Sequence, residues 1–227
     1  MQIRQLFDHN SSSYTYLLWD ESTREGAIID SVTEQVERDQ KLIAELELDL
    51  KYALETHIHA DHVTGSGALR ERLGCRIGIH ANAGNACADL QLVGKDRVYL
   101  GSQHLEVIYT PGHTNTDISY KTADSLFTGD ILLVRGSGRT DFQDGDAGLS
   151  YDSITGKIFT LPGETVIYPA HDYNGFCCST VAEERRFNPR LGSGKTRDEY
   201  IQIMESMKLD RPSQMDAAVP ANLACGL

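Results

Sequence analysis

Seven side chains of metal-binding type stand in four short stretches: His57-x-His59-x-Asp61-His62, His113 after Pro111-Gly112, Asp130 after Thr128-Gly129, and His171 after Pro169-Ala170. Imidazole with carboxylate suits first-row ions such as zinc, iron and manganese, and none of the seven is a thiolate. One H-x-H pair is weak evidence, because an isolated histidine at a strand edge is usually satisfied by backbone. Five of the eight histidines in four such stretches predict a metal site. The other three, His9, His80 and His104, are read as structural.

Each stretch follows an apolar run of strand character, at residues 52–56, 105–109, 125–127 and 165–168. If these strand ends share one edge of a sandwich, the seven side chains converge there. His57 and His59 then point the same way from extended backbone, and Asp61 and His62 open the next helix. Gly112 and Gly129 permit close backbone approach beside two of the ligands.

Further strands are expected at 2–7, 14–19, 26–30, 76–80, 97–100 and 118–120. Helices are expected at 33–48 with Thr33 as N-cap, at 63–73 closed by Gly74, and at 150–160, 179–187 and 196–209. The order implies an α/β fold of two mixed sheets flanked by helices. One domain is expected over 1–227, with 178–227 as a short C-terminal extension. The polar stretch 135–148 reads as a functional loop, and 210–227 as a tail laid over the surface.

A chain of 227 residues, 40% hydrophobic, can bury a sizeable core. Its net charge of −12 argues against nucleic acid as a partner, and an anionic substrate would need a few local Arg or Lys side chains. There is no apolar run of membrane-spanning length and no signal-peptide-like start, so a cytoplasmic protein without membrane association is expected. Five cysteines, an odd number without C-x-x-C spacing, argue against disulfides and for a reducing compartment. Cys225 reads as a small buried hydrophobe, and the adjacent pair Cys177-Cys178 has no readable role, its thiolates expected to diverge. A homodimer is only the general expectation for soluble enzymes.

The segments T-H-x-H-x-D-H (Thr56 to His62), P-G-H-T (Pro111 to Thr114), F-T-G-D (Phe127 to Asp130) and P-A-H-D (Pro169 to Asp172) resemble the metallo-β-lactamase superfamily. That resemblance implies an αββα sandwich but leaves the reaction open. The stretch Arg135-Gly-Ser-Gly-Arg-Thr-Asp-Phe-Gln143, with His171-Asp-Tyr-x-Gly175, Asn188-Pro-Arg-Leu191 and the ending Ala218-Val-Pro-Ala-Asn222, is similar to persulfide dioxygenases. The related hydroxyacylglutathione hydrolases (glyoxalase II) tend to carry G-C-G-R-x-F-E-G where this chain has G-S-G-R-T-D-F-Q.

The dioxygenase resemblance implies a single Fe(II) on His57, His113 and Asp130, a two-histidine, one-carboxylate facial triad. His59, Asp61, His62 and His171 would then orient the ligands or their waters. The reaction implied joins glutathione persulfide, O2 and water to give sulfite and glutathione. Arg139 and Tyr173 occupy positions similar to glutathione contacts in the hydrolase. Thr140 and Asp141 stand beside Arg139, and Asp141 could receive the γ-glutamyl ammonium. The hydrolase alternative places two metals on the same side chains with Asp130 bridging, and ligand type alone does not separate the two. Arg190 is read as an ion-pair partner of Glu183 or Glu184 at least as readily as a substrate contact.

Overall fold

The computed structural model describes residues 1–84 and 87–227. Two six-stranded mixed sheets lie face to face, with helices on the outside. The first holds β1 (Gln2–Asp8), β2 (Ser13–Trp19), β3 (Glu25–Ile29), β4 (Asp49–Leu54), β5 (Arg76–His80) and β6 (Leu90–Leu92), in that spatial order. Its first three strands are an antiparallel meander, and β3 to β6 run parallel. The second holds β7 (Arg97–Leu100), β8 (Gln103–Tyr109), β9 (Ile118–Lys121), β10 (Ser125–Gly129), β11 (Val166–Pro169) and β12 (Ser179–Thr180), antiparallel except for the β10–β11 pair.

The period of two along β2 shows why the chain makes layers. Tyr16 and Leu18 face the other sheet, where they join Ile29, Leu54, Val107, Tyr120 and Phe127. Leu17 and Trp19 face outward onto α1 (Val36–Glu45) and α2 (Ser66–Leu73), packing with Val36, Ile43 and Leu69. On the far side, Leu126 and Ile167 pack with Ile154, Val181 and Tyr200, from the segment that begins at α3 (Ala147–Ser153) and from α4 (Val181–Phe187) and α5 (Arg197–Ser206).

The structure corrects several expectations. Thr33 does not cap the first helix: Thr33–Gln35 is a 3-10 turn whose N-cap, Val32, makes no side-chain cap bond. Asp61 and His62 do not open α2, which starts at Ser66; they lie in the loop before it. Gly74 does close α2, in the left-handed region that glycine tolerates best.

The last segment is not a surface tail. It forms α6 (Met215–Leu223), with Pro220 inside it and Ala218 and Asn222 buried. Nor are all the cysteines free. Cys87 and Cys225 form a disulfide with a Cα–Cα distance of 6.1 Å, across a sequence separation of 138. An odd count concealed one long-range pair among three free thiols, and the argument from cysteines for a reducing cytoplasm falls with it. Among the described residues, no helix is long and apolar enough to cross a membrane.

Candidate metal centre

All four strand exits open at the same end of the sandwich. The β4 exit bonds across to the second sheet, with the Ile118 amide donating to the Thr56 carbonyl at 2.8 Å and Tyr120 Oη to the Glu55 carbonyl at 2.9 Å. One ligand atom from each of His57, His113 and Asp130 lies within 4.8 Å of the others.

The unused atoms of this triad are tied down. His57 Nδ1 is 3.0 Å from Thr56 Oγ1, and His113 Nδ1 donates to the Arg139 carbonyl at 2.6 Å. Asp130 Oδ1 accepts from His171 Nδ1 at 2.7 Å, while Oδ2 stands 3.7 Å from His113 Nε2. Fixing one ring nitrogen sets the tautomer and aims the other at the ion, the usual arrangement around a metal-binding histidine. Burial, with His59 and His113 alongside, holds His57 well below the ordinary histidine pKa. A neutral imidazole is the form that ligates. Burial opposes charge on Asp130, but His171, His113 and His57 outweigh it and keep the carboxylate ionised. The donor set therefore fits one divalent ion.

His171 links this triad to a second cluster, because its Nε2 donates to Asp61 Oδ2 at 2.9 Å. Burial disfavours its charge, yet Asp130 and Asp61 raise its pKa well above the ordinary value. The second cluster is His59, Asp61 and His62, again with ligand atoms within 4.8 Å. His62 Nδ1 pairs with Asp61 Oδ2 at 2.8 Å, while the buried atoms His62 Nε2 and His59 Nδ1 have no hydrogen-bond partner among the described residues.

Beneath His59 lie two carboxylates that the sequence reading passed over, Asp30 Oδ1 at 3.1 Å and Glu55 Oε2 at 3.4 Å. Asp30 also accepts from the Thr56 amide and Thr56 Oγ1, at 2.7 and 2.8 Å, so one carboxylate holds the start of the His57–His62 loop. Its identity as a strand-terminal Asp carried no signal of this.

A second support comes from α6. Asn222 Nδ2 donates to the carbonyls of His59 and His62, both at 2.9 Å, and its Oδ1 accepts the Thr64 amide at 2.8 Å. A lone polar residue in the apolar run Ala-Ala-Val-Pro-Ala-Asn-Leu was the available hint.

Gly138 explains why the Arg139 loop can approach so closely. A Cβ there would stand 2.5 Å from the Asp130 carbonyl and 2.8 Å from His113 Nδ1. Gly138→Ala is expected to lose about 1–3 kcal/mol by overpacking, with a melting temperature lower by several degrees and reduced metal occupancy. Unchanged melting and metal content would show that the loop gives way freely.

Asp117 lies nearby, fully buried, and burial pushes its carboxyl up to about 6 despite His113 and the Thr114 donors. The native state then binds a proton that the unfolded state releases from pH about 4 upward, so this group lowers stability as pH rises from about 4 to about 6 and adds no further change above. Thermal melts should show Asp117→Asn gaining on the natural protein across that window. Parallel curves would refute the buried-acid reading.

The site opens into a cavity of about 610 Å³, of a size that holds small-molecule ligands. Arg139 and Tyr173 are on its wall; Thr140 and Asp141 are not. Asp141 instead grips Arg139 through two bonds of 2.7 and 2.8 Å, and Arg139 also donates to the Asp210 carbonyl at 2.7 Å. Tyr173 stacks on His171 at 6.1 Å. Arg190 is also on the wall, donating to the Ser137 carbonyl. The ion pair expected of it belongs to Arg135, which takes both Glu183 and Glu184. The described residues place no carboxylate in an ion pair with Arg190.

Residues 10–171 match the Metallo-beta-lactamase superfamily model. The human persulfide dioxygenase ETHE1, mitochondrial, is 50% identical over 99% of this chain and 89% of its own. The crystal structure of ETHE1 from Myxococcus xanthus superposes with a TM-score of 0.97 at 54% identity, covering both chains in full. The chain belongs to the persulfide dioxygenase family. A hydroxyacylglutathione hydrolase of Cereibacter sphaeroides is more distant, at 35% identity over 81% of this chain and 73% of its own. Persulfide dioxygenases thus match along nearly the whole chain, including α6, the element that supports the site from behind.

Proposed function

We propose that this chain oxidises glutathione persulfide with O2 and water to sulfite and glutathione, using one Fe(II) held by His57, His113 and Asp130. The observation that carries the reading is the near-complete match to persulfide dioxygenases, and the three proposed ligand atoms, within 4.8 Å of one another, support it. Iron(II) held by these three side chains would supply electrons to O2, which zinc would not.

The remaining roles belong to the protein. His171, charged between Asp61 and Asp130, holds the Asp130 carboxylate so that one oxygen stays free for the ion. His59, Asp61 and His62 fix the loop that presents His57. Arg139, Arg190 and Tyr173 bind the glutathione body from the cavity wall, with the unpaired Arg190 taking a carboxylate. Asp141 serves by holding Arg139 through two hydrogen bonds, and keeps free oxygen lone pairs for an ammonium group. Met207, Leu209 and Met215 line the outer cavity and exclude water from one side.

The second cluster favours one other reading, a thioester hydrolase with two metals, because His59 Nδ1 and His62 Nε2 are buried without partners. Metal analysis of protein purified without added metal, with O2 uptake on glutathione persulfide run beside hydrolysis of S-lactoylglutathione, separates the two. The dioxygenase reading expects iron near one per chain and O2 uptake. Two zinc ions per chain with thioester cleavage and no O2 uptake would overturn it.

A further inference from the structure

Cys177 and Cys178 are both exposed, and their sulfurs lie 3.9 Å apart. The divergence expected of neighbouring side chains is absent: the two Sγ atoms lie in contact with each other. They sit on the loop after Tyr173, outside the cavity wall. That loop is built to hold its shape, because Asp172 accepts the amides of Asn174 and Phe176 at 2.8 and 2.7 Å and Tyr14 Oη donates to the Phe176 carbonyl at 2.9 Å.

We propose that the pair is a second, dithiol site at which a small-molecule persulfide is reductively cleaved and the two cysteines close into a disulfide. In the first step one cysteine thiolate attacks the outer sulfur of glutathione persulfide. The sulfur–sulfur bond breaks, glutathione leaves with a proton, and the cysteine carries the transferred sulfur as its own persulfide. In the second step the neighbouring thiolate attacks the inner sulfur of that persulfide and expels hydrosulfide, which takes up the other thiol proton. The two cysteines together lose two electrons, and the transferred sulfur gains them as sulfide. No further oxidant is required.

Adjacency makes this bond labile. Neighbouring Cα atoms are about 3.8 Å apart across a trans peptide, shorter than the roughly 4.4–6.8 Å that disulfides usually span. A bond closed under that constraint is strained, and strained, exposed disulfides are the readily reduced ones. Two molecules of glutathione, the thiol product of both reactions, reopen it: the first forms a mixed disulfide with one cysteine and frees the other, and the second displaces that cysteine and leaves as glutathione disulfide. The carbonyl inside the closing ring is that of Cys177, which now accepts Gln5 Nε2 at 2.6 Å, and Gln5 in turn contacts Tyr16 Oη at 3.1 Å. Closure must turn this carbonyl and break that contact. The remaining thiol, Cys75, is buried, its pKa pushed up to about 11 by that burial, and does not compete.

The site shares its substrate with the proposed dioxygenase reaction but needs neither iron nor O2. The intact protein is exposed to glutathione persulfide under strict anaerobiosis, quenched with an alkylating agent and mapped by peptide mass. The expected result is a peptide in which Cys177 and Cys178 resist alkylation until reduced, with one sulfide released per disulfide. Cys177→Ser and Cys178→Ser should each stop at a persulfide on the remaining thiol and release no sulfide from this site, with aerobic O2 uptake as in the natural protein. Fully alkylated thiols in the natural protein overturn the proposal, as do persulfides on both cysteines that never close. If the dioxygenase reading fails, O2 uptake is missing while the anaerobic result stands, so the two failures are distinguishable.

Discussion

His113→Ala is expected to purify with iron near zero per chain and to lose at least about a thousandfold in O2 uptake on glutathione persulfide, beyond the roughly 10- to 100-fold typical of residues that only support a ligand. The natural ring is fixed for its role by its bond to the Arg139 carbonyl, which alanine cannot make. His62→Ala is the matching control. Its loss leaves Asp61 bonded to His171 and leaves His57, His113 and Asp130 untouched. Iron should stay near one per chain while activity falls about 10- to 100-fold. If His62→Ala instead halves a metal content of two, the second cluster is itself a metal site and the hydrolase reading gains. Metal analysis and oxygen-electrode rates on the same preparations decide the matter.

Arg190→Ala should raise KM for glutathione persulfide by about 10- to 100-fold while leaving iron content unchanged, since a charge-assisted hydrogen bond is worth about 1.5–3 kcal/mol. Three arginines line the cavity, and Arg135 is taken up by Glu183 and Glu184, which leaves Arg139 and Arg190 to compare. Arg139 is already neutralised by Asp141, stacked over Phe142 at 4.3 Å and bonded to the 209–210 backbone. Among the described residues the Arg190 guanidinium donates only to Ser137, and has charge to spare for a substrate carboxylate. Arg139→Ala is therefore expected to combine a raised KM with a lower melting temperature, because it also frees the segment leading to α6. Equal KM values for Arg190→Ala and the natural enzyme would remove Arg190 from the site.

The strand exits were legible because a ligand-type residue interrupts an apolar run where the sheet's hydrogen bonding stops. His57, His113, Asp130 and His171 each show that break, and each lands at the same end of the sandwich. Partners chosen by tertiary approach left no such mark. Asp30 and Glu55 read as ordinary strand-end acids, and it is the parallel pairing of β3 with β4 that brings both under His59. Arg190, close in sequence, was the partner expected for Glu183 or Glu184, and the fold gave both to Arg135 instead. Helix α6 was missed because it is apolar nearly all round and contains Pro220, so it shows neither helical periodicity nor a clean interior. The Cys87–Cys225 bond was hidden by the same gap, since one of its ends lies just past that helix.

Helix α6 also sets an order of events during synthesis. Every metal-type side chain, from His57 to His171, is made before Asn222, yet the His59 and His62 carbonyls and the Thr64 amide wait for that one amide side chain. The Gly67 amide likewise waits for the Cys225 carbonyl, at 2.9 Å. A ribosome-bound chain halted before Met215 therefore carries its imidazoles and carboxylates on a loop that Asn222 does not yet clamp. The final helix is thus the last part needed before the metal-binding loop takes its finished shape.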